Sequence, residues 1–343
     1  MHTIFLKTKI HSGIGSLQVL SAYRNQKIFL VCDEFLLGSG GVKLLLEAVD
    51  NSCEVRIFHK VVPDPPMDTV AKALVEFRRF GPQVMIALGG GSAIDTAKGV
   101  LYLSKQMPGG SDVRLIAVPT TSGTGSEVTS VSVLTDEDSH VKHMIVDDII
   151  RPDEAILDAR LVLSVPPRVT ANTGMDTLTH AVEAYVGLHA DSFSDAMAEK
   201  AVEFVHSSLL ACYGSGSDLE ARTRMHEAST YAGIAFNKAG LGLSHALAHS
   251  LGGVFHSYIP HGLANALVLK EVILFNSKAP GVCARYADLA RRTGISTGAK
   301  SNQDAVLDLV RYIEELKFQM KMPGTIRAVS YTHLRAHETA ANL

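Results

Sequence analysis

Asp176 and His180 stand four residues apart in TANTGMDTLTHAVEAY, and His245 and His249 repeat that spacing in GLGLSHALAHSLGG. In a helix such side chains project from one face, one turn apart, so each pair offers two donors in one direction. A further imidazole, His261, sits between Pro260 and Gly262 where a loop gives way to a helical pattern. One carboxylate and three imidazoles from three separate stretches form an oxygen and nitrogen set suited to Fe(II) or Zn(II). A lone buried histidine is more often a hydrogen-bonded core residue; here number and pairing argue for a metal. Asp176, His180, His245 and His261 are read as the ligands. His249 is assigned to the substrate side, because four protein ligands satisfy the ion and a fifth would crowd its open position. Glu183, one turn beyond His180, is read as structural, and His256 as either a neighbour of the site or a surface residue.

Two glycine-rich turns suit a phosphate-bearing cofactor. ALGGGSAIDTAKG (87–99) reads as a strand, three glycines and a helix opened by Ser92. Gly90 and Gly91 let a backbone approach a pyrophosphate, while the first helical amides supply the positive end of the dipole. Ser92 can cap that helix while facing phosphate, and Lys98 either reaches back towards the site or solvates the helix. The bland alternative for this stretch alone is an ordinary tight βα turn. PTTSGTGSEVTS (119–130) follows the next strand and brings Thr120, Thr121 and Thr124 as small hydroxyl donors for phosphate and ribose. Two such loops after neighbouring strands point to the carboxyl edge of a parallel sheet. Asp33, closing KIFLVC, is placed either to accept from an adenine-ribose diol or to cap a turn. In the first role it favours NAD over NADP, since a 2′-phosphate would be repelled. The usual GxGxxG is absent; Gly13 and Gly15 form only a fragment of it, following no clear strand.

The framework that must position these groups changes character midway. KIFLVC (27–32), EVRIF (54–58), VMIAL (84–88) and LIAVP (115–119) read as strands. Helical patterns fall between them at 40–49, 67–80 and 92–105, and VTSVSVLTDED with VKHMIV reads as an antiparallel hairpin appended to the sheet. Alternating strands and helices imply a parallel sheet covered on both faces. After SVPP (164–167) helical periodicity runs to about Leu316, and Pro166-Pro167 marks the boundary. The expected organisation is an α/β dinucleotide-binding domain over 1–165 and an all-helical metal and substrate domain over 166–328. The final stretch, VSYTHLRAHETAANL (329–343), departs from the pattern and reads like translated sequencing adapter, the alternative being a genuine polar tail. His333 and His337 in it imitate a helical metal pair and are given no functional weight.

With 343 residues, 46% of them hydrophobic and a formal charge of −3, the chain is an ordinary globular protein with no basic run to suggest nucleic acid or an acidic membrane. Its four cysteines have no metal spacing and read as reduced thiols of a cytoplasmic protein. No stretch has the length and apolarity of a membrane span or a secretory leader.

Taken together, TKIHSGIGSL, GGGSAIDTAKG, PTTSGTGSEVT, PDEAILD, VPPRVTANTGMDTLTHAVEAY, GLGLSHALAHSLGG and PHGLANA resemble the iron-containing (group III) alcohol dehydrogenases over about Ile4 to Ala328. The resemblance implies a Rossmann-like NAD(P) domain, an all-helical second domain of the dehydroquinate synthase-like architecture, and a site in the cleft between them. It carries the metal ligands onto Asp176, His180, His245 and His261. Cofactor contacts carry onto Asp33, Gly90, Gly91, Ser92, Thr120, Thr121, Thr124, Lys142 and Leu161. It also implies a homodimer and a cytoplasmic location, with a bacterial microcompartment as a narrower possibility. Two departures stand out: an apparent two-residue insertion at Ser257-Tyr258 before His261, and family helices expected beyond Ala328.

The implied reaction is reversible NAD(H)-linked interconversion of short primary alcohols and aldehydes of the 1-propanol and propionaldehyde type. His249 would relay a proton to solvent. One rival is a metal- and NAD-dependent lyase resembling dehydroquinate synthase. That chemistry needs basic residues for a phosphorylated substrate, whereas the neighbours of the metal pair (Ala246, Leu247, Ala248, Leu251, Phe255) are small or apolar. The other rival is an inactive, truncated metal-binding fragment.

Overall fold

The computed structural model describes residues 6–108, 112–139, 141–254 and 259–329. The chain divides into two compact units, Met1–Ser164 and Val165–Leu343.

The first unit is built on β1 (Lys9–Ser12), β2 (Lys27–Asp33), α1 (Glu34–Gly38), α2 (Gly41–Leu46), β3 (Glu54–Val61), α3 (Met67–Phe80), β4 (Val84–Gly89), α4 (Gly91–Gln106), β5 (Arg114–Pro119), β6 (Val131–Thr135), β7 (Lys142–Val146) and β8 (Glu154–Leu157). Six strands form one sheet in the order β1-β8-β5-β4-β2-β3, every pairing parallel. The central strands are apolar at consecutive positions because both faces are covered. Phe29, Val31, Met85, Ala87, Leu115 and Ala117 face one core with α3 and α4. Ile28, Leu30, Cys32, Ile86, Leu88, Ile116 and Val118 face the other with α2. Strands β6 and β7 pair antiparallel, as expected, but make a two-stranded sheet of their own rather than an extension of the large one.

Two strands escape the sequence pattern. β1 and β8 are four residues each, and β1 is mostly exposed. An edge strand of that length shows no apolar alternation to read. Consequently Gly13 and Gly15 do follow a strand, contrary to expectation, and Gly15 donates its N–H to Asp158 Oδ2 at 3.0 Å.

The second unit is helical throughout: α5 (Pro167–Tyr185), α6 (Ser192–Gly214), α7 (Leu219–Ala239), α8 (Leu243–Val254), α9 (His261–Asn276), α10 (Pro280–Arg292) and α11 (Asn302–Gln319). Pro167 opens α5 at the first helical position, where its missing N–H costs nothing. From Gly174 to Tyr185 every residue of α5 is buried, as befits a helix surrounded by others. Gly174 permits the close approach of α6, since a Cβ there would come within 2.2 Å of Leu209 Cδ1. Helix α6 begins with a capping box between Asp191 and Ser194. Among the described residues, no helix is long and apolar enough to cross a membrane.

Candidate metal centre and dinucleotide site

In the first unit the expected cofactor residues gather at one edge of the sheet. β4 and β5 are adjacent and parallel, with Gly89 opposite Pro119, so both glycine-rich loops leave the same edge side by side. β2, carrying Asp33 at its end, lies on the other flank of β4. The chain order reverses between β2 and β4, since β3 lies outside β2; ligands of open parallel sheets bind at such a reversal.

The glycines are explained by how tightly the two loops mesh. A Cβ on Gly90 would sit 3.1 Å from Thr121 Oγ1, and one on Gly91 would sit 2.9 Å from Thr124 Cγ2. Gly89 combines a φ of +153° with a would-be Cβ 2.6 Å from that of Ala93. Helix α4 starts at Gly91 with Gly90 as its cap residue and no side-chain cap. Ser92 therefore does not cap it: as the second helical residue it lies two positions past the cap. An uncapped helix end leaves its first amides to an anion. Thr120 is buried and its N–H donates to Gly89 O at 3.0 Å, tying the loops together.

Lys98 does not solvate the helix but reaches the second glycine-rich loop. It is fully buried, and its Nζ donates to Ser126 Oγ (3.0 Å), Thr129 Oγ1 (3.0 Å) and Val131 O (2.7 Å). Ser126 Oγ in turn donates to Asp95 Oδ1 at 2.8 Å. Burial pushes the Lys98 ammonium down to about 8, opposed by the charges of Asp95 and Glu127. The pair Asp95 and Lys98 thus braces the second loop from beneath. Asp33 caps α1, its Oδ1 accepting from Leu36 N–H at 3.0 Å. Lys142 Nζ donates to Asp64 Oδ1 at 2.6 Å, and Leu161 is buried in the core beside α2.

In the second unit α5, α8 and α9 bring the acceptors of the metal reading together. Asp176, His180 and His245 are all buried, with one donor atom of each within 4.8 Å of the others. Asp176 Oδ1 lies 3.9 Å from His245 Nε2 and 3.7 Å from His261 Nε2. The rings of His180 and His245 stack at 4.5 Å, and His180 stacks at 4.5 Å on Phe236 from its other face. Burial pushes the His180 imidazole down to about 3, against the opposing charge of Asp176, which leaves it neutral with a lone pair to give. His261 opens α9 and reaches the cluster across the apparent insertion; Ser257 and Tyr258 lie outside the described residues, as do His256, Phe255, His333 and His337. Gly262 sets how closely α9 meets α5, because a Cβ there would stand 2.0 Å from Asn172 O. The half-buried His249 places its ring 4.8 Å from that of His261.

Two residues of this centre carry more than the spacing suggested. Glu183 Oε2 accepts from His245 Nδ1–H at 2.7 Å and from Gly242 N–H at 2.9 Å, while Oε1 accepts from Ser244 N–H at 2.6 Å. Burial opposes its ionisation, yet these donors prevail and hold its carboxyl below the usual glutamate range. Asn265 Nδ2 donates to Asp176 Oδ1 at 2.8 Å and stands 3.1 Å from His245 Nε2 and 3.3 Å from His261 Nε2. Its Oδ1 is buried without a protein partner among the described residues. Both signals were present in the sequence. Glu183 is seven residues after Asp176 and Asn265 four after His261, each on the face of its neighbour.

The residues fit a divalent cation. Among the described residues the ion-pair partners of Asp176 and Glu183 are histidines alone, so two buried carboxylates are left without a permanent positive charge. Donors about 2.0–2.2 Å from a common tetrahedral ion stand roughly 3.3–3.6 Å apart, a few tenths of an ångström inside the 3.7 and 3.9 Å from Asp176 Oδ1 to His261 and His245.

Comparison with known proteins agrees. A model of the iron-containing alcohol dehydrogenases matches residues 7–159, and one of the C-terminal part of the Fe-containing alcohol dehydrogenase family matches 170–341. The 1-propanol dehydrogenase PduQ of Citrobacter freundii is 45% identical over 94% of this chain and 87% of its own. The NADPH-dependent butanol dehydrogenase of Clostridium saccharobutylicum is 38% identical, covering 94% and 85%. A crystal structure of 1,3-propanediol oxidoreductase superposes with a TM-score of 0.87 at 33% identity, over 96% of this chain and 90% of that one. Sulfoacetaldehyde reductase from Bifidobacterium kashiwanohense, solved in complex with NAD+, gives 0.84 at 30% over 94% and 87%. The fold is accordingly a Rossmann-like α/β unit followed by an all-α unit, and the chain belongs to the iron-containing alcohol dehydrogenase family.

Proposed function

We propose that this protein is a metal-dependent alcohol dehydrogenase that interconverts short primary alcohols and aldehydes with NAD(H), of the 1-propanol and propionaldehyde type. The observation that supports the reading is that buried Asp176, His180 and His245 bring donor atoms within 4.8 Å of one another, with Nε2 of the partly exposed His261 3.7 Å from Asp176 Oδ1. These four would hold Fe(II), or Zn(II) in its place. A divalent cation there supplies Lewis acidity to a substrate oxygen and lowers the pKa of an alcohol.

The remaining roles fall to this chain's own groups. Gly90, Gly91 and Ser92, at the uncapped start of α4, would receive the cofactor's pyrophosphate. Thr120, Thr121 and Thr124 supply hydroxyls beside it, and Asp33, Lys142 and Leu161 complete the proposed contacts. A carboxylate at Asp33 favours NAD, although one relative is named for NADPH. His249, half-buried and next to His261, would move the alcohol proton towards solvent. The first unit, 1–165, would bind the nucleotide and the second, 166–328, the metal and substrate.

A cytoplasmic setting is supported by four free cysteines, and encapsulation in a bacterial microcompartment is its narrower form. A homodimer is supported by β1, a mostly exposed strand at one edge of the sheet among the described residues, which a second copy could extend. The test is an anaerobic assay of purified protein with Fe(II), NADH or NADPH, and a panel of short aldehydes. Oxidation of NADH by propionaldehyde that depends on added metal is the expected result. Cofactor-neutral turnover of a phosphorylated substrate, with no net NADH consumed, would favour the lyase instead.

A further inference from the structure

We propose that Glu183 is the positioning residue that fixes the ring of His245 and thereby sets the affinity of the metal centre. The inference rests on reading Asp176, His180, His245 and His261 as metal ligands. Asp176, His180 and Glu183 project from one face of α5, so a single helix presents two ligands and the carboxylate that orients a third. A carboxylate can only accept, so the 2.7 Å contact places the ring proton of His245 on Nδ1. Nε2 then carries no proton, and its lone pair, met by the Asn265 amide at 3.1 Å, is turned towards Asp176 Oδ1 and His261, the direction a cation needs. With the proton on Nε2 instead, the ring would aim a positive dipole into the centre.

Glu183 cannot easily be replaced by a neutral acceptor. Its two oxygens receive three N–H donors, from His245, Gly242 and Ser244. A glutamine offers one accepting oxygen and one donating nitrogen, so its amide must confront at least one N–H. Either the imidazole or the first turn of α8 then lets go. The main chain is pressed against the carboxylate, for a Cβ on Gly242 would lie 2.9 Å from Oε1. Carboxylates behind ligating histidines fix tautomer and orientation and raise ligand basicity, and losing one typically weakens metal binding by about 10–100-fold.

The test compares wild type with Glu183→Gln and Glu183→Asp. Co(II) affinity is read by competition with a chromophoric chelator at one neutral pH, alongside the visible absorption of bound Co(II), the melting temperature with and without metal, and NAD+ binding by fluorescence. Glu183→Gln is expected to lose Co(II) affinity by about 10–100-fold, to alter the absorption bands and to leave NAD+ binding unchanged. Glu183→Asp is expected to fall between the two. An equal loss of melting temperature in apo and loaded protein, with wild-type affinity and spectrum, would reduce Glu183 to an anchor for α8 and overturn the inference. One measurement needs no variant: selective histidine ¹⁵N spectra of metal-free wild type should show His245 protonated at Nδ1, and the Nε2–H form would refute it. Failure of wild type to bind any divalent ion would be a distinct outcome, since it removes the metal reading itself.

Discussion

The two units bury ionisable groups in opposite ways. In the first, Lys98 lies beneath the second glycine-rich loop, and its ammonium is matched by Asp95 through Ser126 and by three oxygen acceptors. The group is complete as it stands: a cation with donors used, an anion nearby, and a loop held in shape. In the second, Asp176, His245 and His261 turn acceptors towards one another around the Asn265 amide, and Asn265 Oδ1 has no protein partner among the described residues. Gathering acceptors without a matching cation is costly in a buried setting. Complete polar networks of the first kind stabilise a fold. Acceptors gathered on one buried point, as in the second, suit a ligand that brings positive charge.

The contrast breaks most decisively at Asp176. Asp176→Ala removes an acceptor from the incomplete cluster, so the folded chain should survive or even gain stability without metal while activity collapses. The expected loss in kcat/KM is at least about 10³-fold, corresponding to several kcal/mol of charge stabilisation. Metal content by elemental analysis and the melting curve of the apo protein check the two halves separately. Wild-type turnover with stoichiometric metal would remove Asp176 from the centre.

Lys98→Met should do the reverse, spending its effect on the fold. Removing one member of a buried, charge-matched pair strands the other, a change that costs about 3 kcal/mol or more. The combined Asp95→Asn and Lys98→Met variant should recover over half of that, as seen by urea denaturation. Metal affinity should be unchanged in both variants, since every group affected belongs to the first unit.

How much of this contrast could be read in advance depends on what kind of information each feature carries. The parallel sheet was legible because strands buried on both faces are continuous apolar runs such as VMIAL. The ligand helices were legible because Asp176/His180 and His245/His249 repeat a helical spacing of rare residue types. β1 and β8 were not, being short and, for β1, exposed. For Lys98 both a reach back towards the site and a solvated face stayed open, because sequence shows that a lysine sits in a helix but not which loop folds over it. Glu183 and Asn265 lay on the correct faces; what spacing could not reveal was that their partners come from residues 62 and 89 positions away.

A subtler probe tests whether backbone proximity, and not ligand identity alone, holds the incomplete site. Gly262→Ala would drive a Cβ towards Asn172 O, 2.0 Å away, so α9 must shift from α5 and carry His261 with it. Overpacking of this sort costs about 1–3 kcal/mol. If His261 is a ligand, metal affinity should drop with stability. Loss of stability alone would show that His261 stands beside the centre without binding.

The smallest effect expected is a pH signature that only the complete network should possess. Burial places the Lys98 ammonium at about 8 in the folded chain, below the 10.5 of an exposed lysine. Between those values the unfolded chain binds more protons than the folded one, so this group's contribution to stability rises with pH. The penalty for burying the charged form is fully felt below the folded value and is relieved as the ammonium deprotonates. From about pH 8 to about pH 9.5 the gain should be on the order of 1–2 kcal/mol relative to the double variant lacking Asp95 and Lys98, in which this slope disappears. Chemical denaturation of both proteins across that interval, in the absence of metal, isolates the contribution of Lys98. Equal slopes would mean that Lys98 keeps an ordinary ammonium, and that the brace beneath the loop is wetter than its hydrogen bonds imply.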